Sequence, residues 1–245
     1  MSKNNQPIPV RFAASAPTLQ VDTQIDMPVD TQVDTQFQTQ QPIEVSPSSN
    51  DSSKIEILSK ISDIELLESD FKTIEGNNRL NDSVILAFMK SFKKDKNVFV
   101  LPTTLTHQIV TTGKLERIMR KNLSHFDYIA GPLFISSQEH WCLLFVSVIT
   151  SEITYINPLG TTKTDCKNIL DNWKLFVKSR VGLKDKDWKI TRYSQDHSLQ
   201  QDNFSCGVFI CYFYDKLINR EFQYLRNFFD LSDYRIKIRE KLLIE

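Results

Sequence analysis

From residue 54 onward the hydrophobic positions recur at helical or strand spacing; before it they do neither. Val84, Ile85, Phe88, Met89 and Phe92 fall on one helical face, and Asn81 or Asp82 stands where an N-cap is needed. NVFVLP (97–102) predicts a short strand stopped by Pro102, and residues 103–121 a helix broken or frayed near Gly113. Three strand segments follow: DYIAGPLFI (127–135), HWCLLFVSVI (140–149) and EITYIN (152–157). The middle one is almost wholly apolar, as in a strand buried on both faces. Ile169, Leu170, Trp173, Phe176 and Val177 mark a helix over 163–180, and DWKITRY (187–193) reads as another strand. Residues 206–218 are apolar nearly all round, the pattern of a buried central helix. The segment 231–244 predicts an amphipathic helix with Tyr234, Ile236, Ile238, Leu242 and Leu243 on its apolar side. Strands in mid-chain with helices on either side define an α+β domain over 54–245.

Residues 1–53 differ in kind. VDTQ occurs at 21–24, 29–32 and 33–36, followed by FQTQ at 37–40. Residues 12–53 hold no Lys or Arg and six acids. Such a Gln/Thr/Asp-rich segment cannot bury enough surface to offset its ordering entropy, so it is expected to be a disordered low-complexity arm. A four-residue period is too short for a solenoid unit. Residues 54–245 carry 28 basic and 24 acidic side chains, net +4, while the whole chain is neutral. That balance argues against a global polycation built for nucleic acid, and no Lys/Arg run is interleaved with aromatics. The first twenty residues have no apolar signal-peptide core, and Leu143 to Ile149 is far too short to span a bilayer. Four Cys in 245 residues fit a reduced intracellular compartment, cytoplasm or nucleus, better than a disulfide scaffold.

Several chemistries lack their parts. Six scattered Gly form no phosphate loop. Cys206 and Cys211 stand five apart with no paired CxxC and no HExxH, so neither a metal nor another cofactor is expected.

Nucleophilic catalysis is better supplied. Cys206 lies in LQQDNFSCGVFICYF, where a polar loop meets the buried helix. A thiol there feels unpaired N–H groups and the positive end of the helix dipole, both of which favour thiolate. Gly207 would let a carbonyl approach the backbone closely. Gln200, six residues before Cys206, can donate to an oxyanion, with the Cys206 N–H as second donor. His140 starts the most apolar strand, and Asn157 ends the next one, 17 residues on. A hairpin brings such strand ends together, so Asn157 can hold the far nitrogen of the imidazole and fix its tautomer. Each residue alone has an ordinary structural reading: a small buried hydrophobe, a strand-end histidine, a turn residue, a loop polar group. The conjunction of the four points to a thiol nucleophile with its base.

With those residues in place, the sequence resembles the SUMO-specific cysteine proteases that process ubiquitin-like modifiers, whose wider clan includes the adenovirus protease. The family pattern has His-Trp, an Asp about 17 residues later, then Gln ahead of Cys-Gly; His140-Trp141, Gln200 and Cys206-Gly207 match it. RLNDSVILAFMKSF (79–92) is similar to the family's W-L-N-D segment, and LSDYRIKIREKLL (231–243) to its last helix. The resemblance covers about 57–243. It implies a papain-like core: a central mixed sheet flanked by helices, with the nucleophile heading a buried helix. It also implies a monomeric enzyme that cleaves after the C-terminal glycine of a ubiquitin-like modifier, without nucleic acid, membrane or cofactor. Trp141, Gly207, Asp202 and Arg79 are then expected to line the substrate site.

Two positions depart from the family. Asn157 replaces Asp, so the ring is oriented without a charge to stabilise imidazolium. Arg79 replaces the first Trp of the pair that encloses a diglycine tail, which implies a wider cleft. Three rival readings accompany the main one: a viral-type maturation protease cutting after small residues, a clan-related acetyltransferase, and an inactive binder of ubiquitin-like proteins.

Overall fold

The computed structural model describes residues 56–94, 96–115, 122–191 and 196–243. The arm expected over 1–53 lies outside them, as do the end of the segment 103–121 and Tyr193 of the segment 187–193.

A hairpin opens the described chain: β1 (Ile57–Ile61) pairs antiparallel with β2 (Ile64–Leu67), and the short helix α1 (Glu68–Lys72) follows. Helix α2 spans Asp82–Lys90, with the Asn81 side chain accepting the Val84 N–H as its cap. Strand β3 (Val98–Val100) leads into α3 (Thr103–Thr112), which stops where Gly113 turns left-handed at φ 64°. Then come β4 (Tyr128–Ile135), β5 (His140–Ser147), β6 (Glu152–Ile156), α4 (Lys163–Val177), β7 (Lys189–Ile190), α5 (Cys206–Ile218) and α6 (Leu231–Leu243).

The sheet order is β3-β4-β5-β6-β7. The inner pairs β4/β5 and β5/β6 are antiparallel, and the outer pairs β3/β4 and β6/β7 are parallel. Alternation along β5 feeds two cores. Trp141, Leu143 and Phe145 face a core shared with α2, α5 and α6. Cys142, Leu144 and Val146 face a second core built with α3 and α4. This double burial is why HWCLLFV is nearly all apolar. Every residue of α5 except Lys216 is buried, as its sequence requires. The fold is thus α+β, a mixed sheet with helices on both faces.

Helix α6 corrects the expected apolar side. Ile236 and Leu243 are exposed, at 55% and 49%, whereas Arg235 is buried. The Arg235 guanidinium donates to the carbonyls of Thr73, Ile74 and Asn78, so a charged residue occupies an inward position by satisfying loop acceptors. Strand β7 is shorter than the segment 187–193 suggested. Among the described residues no helix is long and apolar enough to cross a membrane, and no His, Cys, Asp and Glu side chains group as metal ligands.

Candidate active site

A 3-10 turn over Ser136–Gln138 ends at Glu139, whose φ is 47°, and β5 begins with His140. On the next strand Ile156 ends β6 and the chain turns through Asn157, Pro158, Leu159 and Gly160. The Gly160 N–H returns to the Asn157 carbonyl at 2.8 Å, with Gly160 at φ 118°, a conformation that favours glycine. Leu144 and Tyr155 pair directly across β5/β6. With a period of two, His140 and Asn157 therefore share one face as a diagonal pair.

His140 Nε2 lies 2.8 Å from Asn157 Oδ1. That oxygen also accepts the Leu159 N–H at 2.9 Å. A backbone N–H can only donate, so the amide presents its oxygen to the ring, and Nε2 carries the proton. Nδ1 is left as the acceptor. The Asn157 N–H is itself held by Thr161 Oγ1 at 3.0 Å. Burial lowers the His140 pKa below its ordinary value; the Asn157 hydrogen bond opposes this, and the nearby charge of Arg79 adds to the lowering.

Cys206 is the first residue of α5 and is 1% exposed. Its sulfur is within reach of the backbone N–H groups of Trp141, Gly207 and its own residue, and of the field of Arg79. All four favour thiolate, as a helix N-terminus should. Burial nonetheless outweighs them and raises the pKa. Burial thus works against both charged forms, imidazolium and thiolate.

The loop before α5 is built on Asp202. Its Oδ1 accepts the N–H of Phe204 at 2.8 Å and of Ser205 at 2.7 Å, and the Gln200 amide at 3.0 Å. Burial pushes its carboxyl up, but these hydrogen bonds prevail and hold it below the ordinary Asp range. Asp202 is therefore bound up in the turn that presents Cys206. Gln200 is buried, and its N–H bonds the Pro158 carbonyl at 2.9 Å, tying the two site loops together. Its Nε2 donates to the carbonyl of Asp202 at 2.8 Å as well as to Oδ1, and its Oε1 has no hydrogen-bond partner among the described residues.

Arg79 and Trp141 complete the surroundings. Arg79 Nη1 donates to the Glu139 carbonyl at 2.9 Å and to its carboxylate at 2.7 Å, a clasp beside His140. The Trp141 indole donates to the Leu80 carbonyl at 3.1 Å and packs against Phe134. At 6% exposure it is a buried wall, and its backbone N–H is the part that meets the sulfur.

A Cβ at Gly207 would meet Leu80 Cβ at 2.9 Å and Ile85 Cδ1 at 3.3 Å, so its bareness lets α5 pack on the 79–85 segment. Gly207→Ala is expected to lower stability by ~1–3 kcal/mol, the usual range for overpacking, despite alanine's better helix propensity. Thermal unfolding would check this; an unchanged or higher Tm would contradict the packing role.

Glu139, Leu159 and Thr161 support the site and escape the sequence reading. Only Leu159 left a signal, since Asn before a turn commonly accepts the N–H two residues on.

A strand-end histidine held by an amide, one residue before the backbone N–H that meets a cysteine heading a buried helix, is the equipment of a thiol protease. The family model for the Ulp1 protease family, C-terminal catalytic domain, matches residues 78–242. The chain belongs to the Ulp1 protease family and is a cysteine-type peptidase. Solved structures agree in fold. The C-terminal Ulp1 protease domain in complex with Smt3, the yeast ortholog of SUMO, is 21% identical with a TM-score of 0.61, covering 78% of this chain and 86% of that one. The SUMO protease Ulp1 with its catalytic cysteine oxidised to a sulfenic acid gives 22%, 0.59, 76% and 87%. The Ulp1-like SUMO protease catalytic domain of Chaetomium thermophilum gives 16%, 0.58, 77% and 81%.

Proposed function

We propose that this chain hydrolyses the peptide or isopeptide bond after the C-terminal glycine of a ubiquitin-like modifier of the SUMO kind, with Cys206 as nucleophile and His140 as base. The observation that carries this reading is the 2.8 Å bond between His140 Nε2 and Asn157 Oδ1, which frees Nδ1 on a residue whose neighbour, Trp141, gives its backbone N–H to the thiol heading α5. The solved relatives named as SUMO proteases, one of them bound to Smt3, supply the substrate class.

In the first half-reaction the Cys206 proton passes to His140 Nδ1 as sulfur bonds to the carbonyl carbon. The oxyanion takes the Cys206 N–H and one N–H of Gln200, which exchanges an Asp202 acceptor for it. The C–N bond then breaks, and Nδ1 returns the proton to the departing amine. In the second half, Nδ1 takes a proton from water as its oxygen attacks the thioester. The C–S bond breaks, the proton goes to sulfur, and the starting enzyme is restored. Asn157 keeps the ring in the required tautomer throughout. The partner is thus the modifier or its conjugates.

A panel of ubiquitin-like proteins bearing an electrophile at the terminal glycine tests this. The expected result is covalent labelling of Cys206 by at least one SUMO-type probe. Absence of an adduct with every probe would favour a binder without catalysis.

A further inference from the structure

His140 stands between two contacts to one dipeptide. On one side Arg79 Nη1 donates at 2.9 Å to the Glu139 carbonyl, which belongs to the peptide unit shared with His140. On the other, the Trp141 indole donates to the Leu80 carbonyl at 3.1 Å. Leu80 also meets the nucleophile's helix, since its Cβ lies 2.9 Å from where a Cβ on Gly207 would stand. Residues 79 and 80 therefore touch the chain on both sides of the base and the residue that follows the nucleophile. Trp141 closes the circuit, because its backbone N–H meets the Cys206 sulfur.

The dipeptide is firmly seated. The Asn78 carbonyl accepts Arg235 Nη2 at 2.7 Å, and Arg235 is buried. Asn81 caps α2 through the Val84 N–H and donates to Asp70 Oδ1 at 2.7 Å. Arg79 is thus anchored through its neighbours on either side. The residue it grips is less settled. Glu139 has a φ of 47°, in the left-handed region that a residue with a Cβ keeps only when its surroundings hold it there. Its own N–H reaches the Ser136 carbonyl at 3.3 Å, a long bond, so the Arg79 bond to its carbonyl is the closer tie. The ion pair with the Glu139 carboxylate joins side chains that are 39% and 74% exposed and adds little by itself. The bond to the peptide group is the one that acts on His140.

We propose that Arg79 is a positioning residue: by holding the peptide between Glu139 and His140, it sets where the imidazole stands relative to Cys206. It acts through Glu139 and needs no contact with a reacting atom. An imidazole displaced by a fraction of an ångström transfers its proton poorly while substrate still binds, so the effect falls on kcat and not on KM. The charge of Arg79 gives a second sign. Burial is the main cause of the lowered His140 pKa; the Asn157 bond opposes it, and Arg79 adds to it. Around His140 the segment before α2 supplies Arg79, the histidine's own turn supplies Glu139, the β6 turn supplies the neutral Asn157, and α5 supplies Cys206 by way of the Trp141 N–H. This inference rests on the proteolytic reading above.

The test uses the full chain and a SUMO-type modifier with a fluorogenic amide on its terminal glycine. Arg79→Ala is expected to lower kcat roughly tenfold with KM within about twofold, at a nearly unchanged Tm, and to move the acidic limb of kcat/KM to higher pH. Arg79→Lys should recover most of the rate and return the limb, because a single nitrogen makes both bonds to Glu139 and an ammonium can stand in for it. A raised KM at unchanged kcat would make Arg79 part of the substrate surface and overturn the proposal. So would Arg79→Ala protein with the wild-type kcat, or a loss that lysine does not restore. Wild-type protein inert toward the amide would instead strike at the proteolytic reading and take this inference with it.

Discussion

Cys206→Ser is expected to lose at least ~10⁴-fold in kcat on any substrate the wild-type protein cleaves, and to give no adduct with glycine electrophiles, at an unchanged Tm. Several parts of the site exist to handle this one sulfur. Backbone N–H groups of Trp141, Gly207 and Cys206 are within its reach, and His140 Nδ1 is kept free to accept its proton. A hydroxyl of similar size fits the same space but ionises far less readily, so these donors have little anion to stabilise. His140→Ala should cost nearly as much, and the double variant little more than either single one, because nucleophile and base act as a unit. The raised thiol gives a further sign. Wild-type Cys206 should react slowly with iodoacetamide at pH 7 and faster as pH climbs through its raised pKa, whereas an acyl-site probe labels it promptly. Cys206→Ser protein that still hydrolysed a SUMO conjugate at more than a hundredth of the wild-type rate would remove Cys206 from the nucleophile's place.

How much of this molecule is legible in its residues depends on what each feature needs. Helix α5 and strand β5 can be read directly, because burial on all sides leaves an apolar run that no partner can disguise. The β1–β2 hairpin cannot. Ile57 and Leu58 are both exposed and the register shifts between Ile57 and Ser59, so strict alternation is lost. On α6, periodicity assigns Ile236 inward, but the free carbonyls of Thr73, Ile74 and Asn78 draw Arg235 in instead. Those acceptors lie over 150 residues away along the chain and leave no local trace. The chemistry divides in the same manner. Residue types and their positions at strand and helix ends point to Cys206, His140, Asn157 and Gln200. The shift of the thiol pKa does not follow from them, because it depends on how deeply the fold buries the first residue of α5. Nor do the turn hydrogen bonds of Asp202 or the Leu80 contact of Gly207, since both are decided by packing.

Asn157 carries the second large effect, and its two variants should part in opposite directions along the pH axis. Asn157→Ala removes the acceptor for His140 Nε2–H and for the Leu159 N–H together, so the tautomer and the turn loosen at once. A fall of about 10²–10⁴ in kcat/KM is expected, as when the orienting member of a triad is lost. The pH profile gives the physical cause. The acidic limb of kcat/KM reports the free enzyme's base, here neutral His140. In the wild type burial lowers that pKa and the Asn157 hydrogen bond partly restores it, so the limb lies below the ordinary histidine value. Taking the bond away should shift the limb to still lower pH. Asn157→Asp keeps an acceptor and adds a negative charge that stabilises imidazolium, so its limb should move to higher pH. The same charge favours the thiolate–imidazolium form, so iodoacetamide alkylation of Cys206 near neutral pH should quicken. Limbs that coincide for wild type and both variants would mean that His140 is not the titrating base, and that the Asn157 contact shapes the turn alone.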